Sequence, residues 1–134
     1  MSKIVIAVGK RKTAIARAVI KPGIGIVRIN GFALDAWGNE LARYRVMEPL
    51  VLAGPEYVRK VNIYVNVKGG GIMGQADAIR TAIAKGLVEY FQDEYLETLF
   101  ELYDPWLLKS DPRRKEQRKS PTSKARKHYQ TAYR

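Results

Sequence analysis

Three stretches of this chain place residue types that can do chemistry at a useful spacing. KGGGIMGQ (residues 68–75) sets Gly69, Gly71 and Gly74 in the pattern GxGxxG, the spacing at which glycines let a backbone close on a pyrophosphate where a strand meets a helix. GKRKTAIAR (residues 9–17) carries Lys10, Arg11, Lys12 and Arg17 with no acid among them. The C-terminal KARKHYQTAYR interleaves Lys124, Arg126, Lys127, His128 and Arg134 with Tyr129 and Tyr133, cations for phosphates and rings for unpaired bases. Cys is absent and there is one His, so thiolate nucleophiles, disulfides and Cys- or His-built metal sites are excluded. No catalytic residue, metal or cofactor is expected.

A dinucleotide fingerprint needs a following parallel strand that ends in an acid about 20 residues on, to hold the ribose. Here that position falls in an acidic stretch with no strand candidate after it. A nucleotide-binding enzyme using loop 69–74 is therefore the weaker reading. Lys68, Gly69, Gly70 and Gly71 with the first amides of the next helix also make an anion site that suits an RNA phosphate, and equally a tight strand-to-helix turn.

The distribution of charge points to the partner. The chain has 134 residues, 24 Lys+Arg and 13 Asp+Glu, a net charge of +11. Residues 1–34 hold seven basic side chains and no acid, whereas residues 86–108 hold six acids and no Lys or Arg. The last 26 residues hold ten basic and two acidic side chains. Interspersed signs would serve solubility as well without single-sign fields. A polyanion explains the segregation, since each phosphate neutralised releases condensed counterions. The acids of residues 86–108 alternate with apolar residues and read as a solvated helix face.

Those side chains need a scaffold, and the apolar spacing supplies it. Residues 4–8, 13–21 and 26–30 read as strands separated by Lys21-Pro22-Gly23 and followed by Asn30-Gly31, which predicts an antiparallel meander. Asn39 caps a helix to about residue 51, shortened by Pro49, with Leu41, Tyr44, Met47 and Val51 on one face. Residues 58–68 alternate Val61, Ile63, Val65 and Val67 with polar residues, a strand with one buried face. Ile72, Ala76, Ile79, Ile83, Leu87 and Phe91 then recur at helical spacing. A second, acidic helix spans residues 93–103 and stops at Asp104-Pro105. One domain is expected over residues 1–108. Residues 109–134 are expected to be an extended tail, disordered in isolation because its apolar content is too low to offset ordering entropy. With no export signal and no apolar run near the ~18 residues of a membrane span, a soluble cytoplasmic protein without a membrane partner is expected.

GKRKTAIARA, VNVKGGGIMGQADAIRTAIAKGL and the basic tail ending in Tyr133-Arg134, in that order, resemble the family of the ninth protein of the small ribosomal subunit. SDPRRKE and the Tyr-Arg ending give the resemblance an archaeal or eukaryotic cast. One departure is SPTSKAR (residues 120–126), where related tails carry a Gly-Pro-Gly-rich stretch. The resemblance implies a two-layer α/β (α+β) sandwich: a mixed four-stranded sheet, helices on one face, and a left-handed βαβ crossover, against the usual hand. It implies a non-enzymatic constituent of the subunit head that binds ribosomal RNA and neighbouring ribosomal proteins and takes no small-molecule substrate. The RNA contacts would be Lys10, Arg11, Lys12, Arg17, Lys68, Gly69, Gly70, Gly71, Arg113, Arg114, Lys115, Arg118, Lys119 and Lys124. The tail would reach the peptidyl-tRNA site through Arg126, Lys127, Tyr133 and Arg134. Only the resemblance disfavours an RNA-binding protein outside the ribosome.

Overall fold

Period-two burial builds the sheet. The structure, a computed structural model, describes residues 3–104 and 107–108. In β1 (Val5–Arg11) Val5, Ala7 and Gly9 face inward while Ile6, Val8 and Lys10 face outward. β2 (Ala14–Pro22) turns Ala14, Ala16, Ala18 and Ile20 inward and pairs antiparallel with β1 from Val5↔Ile20 to Arg11↔Ala14. The tip between them is two residues, with Lys12 in the left-handed region at φ 55.

β5 (Val61–Lys68) lies beside β2, antiparallel from Ile15↔Lys68 to Pro22↔Val61. β3 (Val27–Ile29) pairs parallel with β5, and β4 (Phe32–Ala33) closes the far edge. The order β1-β2-β5-β3-β4 is a mixed sheet: the β1–β2 hairpin of the expected antiparallel meander is formed, but β3 does not continue it beside β2. The reason is the number of rungs. β5 offers β2 eight residues, with Val61, Ile63, Val65 and Val67 alternating with polar ones, where β3 offers three.

Two asparagines fasten β3 in that place. Asn62 Oδ1 accepts from Ile24 N at 3.0 Å and Ile26 N at 3.1 Å. Asn30 prolongs the ladder with its side chain, accepting from Val67 N at 2.9 Å and donating to Val67 O at 3.2 Å. Asn30 and Gly31, both at positive φ, form the two-residue turn that folds β4 back on β3. That hairpin makes five strands where four were expected.

The parallel pair is joined through α1 (Glu40–Ala53) and α2 (Pro55–Val58). Asn39 caps α1 as expected, its Oδ1 accepting from Ala42 N at 2.9 Å. The rest of that expectation is corrected. The helix runs four residues past Pro49, and Ala42, Val46 and Pro49 are its buried side. Leu41 (61% exposed), Tyr44 (58%) and Val51 (70%) face outward. α1 packs on α3, and the smaller of its two apolar faces permits the closer approach.

α3 (Ile72–Phe91) lies across β1 and β2. Its inward residues Ala76, Ala78, Ile79, Ala82, Ile83, Ala84, Gly86 and Leu87 are buried and meet the alanines of β2 in one core. Separation is set by the absence of side chains: a Cβ on Gly9 would lie 2.1 Å from Ala78 O and 2.6 Å from Ala82 N. α4 (Glu94–Tyr103) starts on Asp93, which accepts from Tyr95 N at 2.9 Å, and buries Leu96 and Phe100. The helices therefore cover one face of the sheet. No helix among the described residues is long and apolar enough to cross a membrane.

Candidate nucleic-acid interface

The uncovered face of the sheet can be read rung by rung. At the hairpin end Lys10, Ile15 and Lys68 stand side by side, then Val8, Arg17 and Asn66, then Ile6, Val19, Tyr64 and Arg28, then Lys21 and Asn62. Lys10, Arg17, Lys21, Arg28 and Lys68 are all exposed. Among the described residues no carboxylate lies within ion-pair distance of any of them. Lys21 Nζ instead sits 4.9 Å from the centre of the Tyr64 ring.

The hairpin end joins two distant stretches of sequence. Gly69 and Gly70 take positive φ of 81° and 65°, and a Cβ on Gly69 would lie 2.3 Å from Thr13 O, so the loop after β5 is pressed against the β1–β2 tip. Lys10, Lys12, Lys68 and Gly69–71 are thereby neighbours. Gln75 donates from Nε2 to Gly69 O at 3.1 Å and braces the loop. Gly71 differs, because its φ is −89° and a Cβ there would meet nothing within 4 Å. It is the N-cap of α3 without a side-chain cap, so the leading amides of α3 are left for water or an anion. Lys12 holds a backbone conformation in which glycine or asparagine is favoured and carries its charge to the exposed tip.

Arg11 is placed elsewhere. It shares the inward parity of Val5, Ala7 and Gly9, and its Nε lies 3.7 Å from Asp77 Oδ2. Arg45 holds the same carboxylate at 2.7 Å. Arg113, Arg114, Lys115, Arg118, Lys119, Lys124, Arg126, Lys127, Tyr133 and Arg134 lie outside the described residues, as does the expected tail. Charge and motif do not distinguish Lys21, Arg28, Tyr64 and Asn66 in the sequence, although the period-two alternation that puts Arg17 and Lys68 outward puts them on the same face.

The loop does not build a nucleotide site. Among the described residues α3 is followed by α4 and by no further strand, so no parallel neighbour brings an acid to a ribose. The acids are engaged with the helices. Arg80 Nη2 on α3 lies 2.8 Å from Glu48 Oε2 on α1 and 2.8 Å from Asp104 Oδ2 at the end of α4. Burial opposes its charge, but the hydrogen bond to Asp104 and the field of Glu48 outweigh it and hold the guanidinium above its ordinary pKa. The Tyr57 hydroxyl donates to Asp93. That bond pushes the tyrosine up and the carboxyl below its usual range.

The described residues form a small basic body with one helical layer and an open cationic sheet face, and no catalytic group is assembled among them. Residues 9–134 match the ribosomal protein S9/S16 family. A small ribosomal subunit protein uS9 from Pyrobaculum aerophilum is 58% identical over 132 residues, covering 98% of this chain and 92% of its own. The proteins of the same name from Desulfurococcus amylolyticus (50% identical; 98% and 94% covered) and Aeropyrum pernix (47%; 100% and 99%) are also similar along their whole length. The chain belongs to the S9 family, and it is a structural constituent of the small ribosomal subunit and not an enzyme.

Proposed function

We propose that the chain binds ribosomal RNA in the head of the small subunit and that residues 109–134 extend from the body to the peptidyl-tRNA site. The observation that carries the reading is the absence of any acid from residues 1–34, with Lys10, Lys12, Lys68 and the Gly69–71 loop gathered at one end of the sheet. Cations without carboxylate partners among the described residues favour phosphates because counterion release rewards each contact. Gly71, which the fold leaves open, admits a backbone closely. Neighbouring proteins of the head complete the set of partners, and the place of action is the ribosome in the cytoplasm. In the tail, Arg113, Arg114, Lys115, Arg118, Lys119 and Lys124 hold ribosomal RNA, while Arg126, Lys127, Tyr133 and Arg134 face tRNA.

Deleting Tyr133 and Arg134 tests the tRNA part. A guanidinium–phosphate contact contributes on the order of 1.5 to 3 kcal/mol before screening. Subunits carrying the deletion should assemble normally and bind peptidyl-site tRNA several-fold more weakly in filter binding. Unchanged tRNA affinity with normal assembly would make the tail an RNA anchor only.

A further inference from the structure

The fold separates the charge of the body onto two sides. The chain has 13 acids, of which Asp111 and Glu116 lie beyond the described residues, and the other eleven all sit in helices or at their caps. The five strands contain none. Lys10, Arg17, Lys21, Arg28 and Lys68 project from the strands to the uncovered face. This partition is tertiary, because Arg28 and Lys68 are 40 residues apart in the chain and reach one face only through the parallel β3–β5 pairing.

We propose that the whole open face of the sheet, and not only its glycine end, is the ribosomal RNA surface. The RNA backbone crosses from Lys10 and Lys68 over Arg17 to the Tyr64 ring between Lys21 and Arg28, and the helical layer, with the acidic helix α4, points away from the RNA. The proposal rests on the ribosomal RNA reading above and adds the orientation of the body and three contacts, Lys21, Arg28 and Tyr64.

Three features select RNA over a protein partner. The face is cationic without compensation among the described residues, and covering it with a protein surface would desolvate five charges that need carboxylates from the partner. Ribosomal phosphates supply those charges with counterion release. A sheet presents side chains about 7 Å apart along a strand and about 4.8 Å across strands, too short and broad for the deep, narrow major groove of A-form RNA but suited to its shallow minor groove or to unpaired nucleotides. Finally, Ile6 and Ile15 stand exposed on this face beside a ring with an ammonium on it. Such a surface can meet sugars and base faces where a purely charged one could not.

A photo-crosslinking residue introduced at Asn66, at the centre of the face, and separately at Thr98, on the exposed side of α4, tests the orientation in subunits assembled with the full-length chain. Position 66 should join to ribosomal RNA and position 98 should not. In parallel, R17Q/K21Q/R28Q should bind a transcript of the ribosomal RNA head with a salt slope shallower by about 2 to 3. Between 50 and 200 mM salt the parent should then lose on the order of 40-fold more affinity than the variant. Crosslinking of position 66 to protein, with an unchanged slope, would overturn the proposal while leaving ribosomal RNA binding intact. Failure of the parent chain itself to bind the transcript in a salt-dependent way would overturn both.

Discussion

Replacing Arg80 with Met should reveal how firmly the helical layer is held. One guanidinium joins three elements: Nε donates to Glu48 Oε2 at 2.9 Å and Nη2 to Asp104 Oδ2 at 2.8 Å, so α1, α3 and the end of α4 meet on a side chain only 13% exposed. Met keeps most of the stem volume and removes the charge. Two carboxylates are then left facing each other. Charge-assisted bonds contribute about 1.5 to 3 kcal/mol each, and breaking a buried pair costs about 3 to 5 kcal/mol. Glu48 and Asp104 remain 30% and 27% exposed, so water rehydrates them and the net loss should be about 2 to 3 kcal/mol. An unfolding entropy of about 2.1 cal/mol/K per residue makes each kcal/mol worth roughly 4 °C in a chain of this length, and Tm by circular dichroism should fall about 8 to 12 °C. Adding E48Q to R80M should recover part of the loss, because one of the stranded charges is gone. A fall of less than about 3 °C, or no recovery in the double variant, would refute the reasoning and reduce the cluster to an ordinary surface ion pair.

Two other perturbations test the packing and the titration. Gly9→Ala drives a methyl into the α3 backbone and should cost about 3 kcal/mol in urea unfolding, whereas Gly71→Ala meets open space and should change stability by less than about 0.5 kcal/mol. Because the Tyr57 hydroxyl holds Asp93 below the usual carboxylate range, the stabilisation is present above the unfolded value near about 3.9 and disappears as pH falls through the lower folded value. The raised Tyr57 has the opposite sense, its contribution being lost as pH rises through its folded value above 10. Melting curves of Y57F and the parent should accordingly differ at about pH 7 and converge in acid once Asp93 is protonated in both states. A gap that persists after Asp93 is protonated in both states would mean that the substitution acts through ring packing on Phe91 (4.9 Å between centroids) and not through the lost charged hydrogen bond.

Much of the body is legible in the sequence, and the failures are specific. The alternation of residues 61–68, the α3 stripe from Ala76 to Leu87 and the caps Asn39 and Asp93 follow from spacing alone. Period-two and period-3.6 patterns and capping oxygens are local properties, decided within a few residues. The charge blocks and the family motifs are likewise one-dimensional, and they suffice for the family. Spacing fails where two elements compete. It offers α1 two apolar faces and points to the bulkier, because nothing in residues 40–53 records that α3 approaches through alanines and selects Ala42, Val46 and Pro49. It places β3 beside β2, because strand order depends on how many rungs a distant segment such as β5 can add. The side-chain ladder of Asn30, the turning of Arg11 to Asp77 and the junction of three helices on Arg80 are pairings across 24 to 66 residues. Composition determined that the protein carries a large excess of cations, gathered at its two ends. Only the pairing of β5 with β2 and the parallel insertion of β3 beside β5 decided that Arg28, Tyr64, Arg17 and Lys10 would share one uncovered face, because alternation assigns a side to each strand but says nothing of its neighbour.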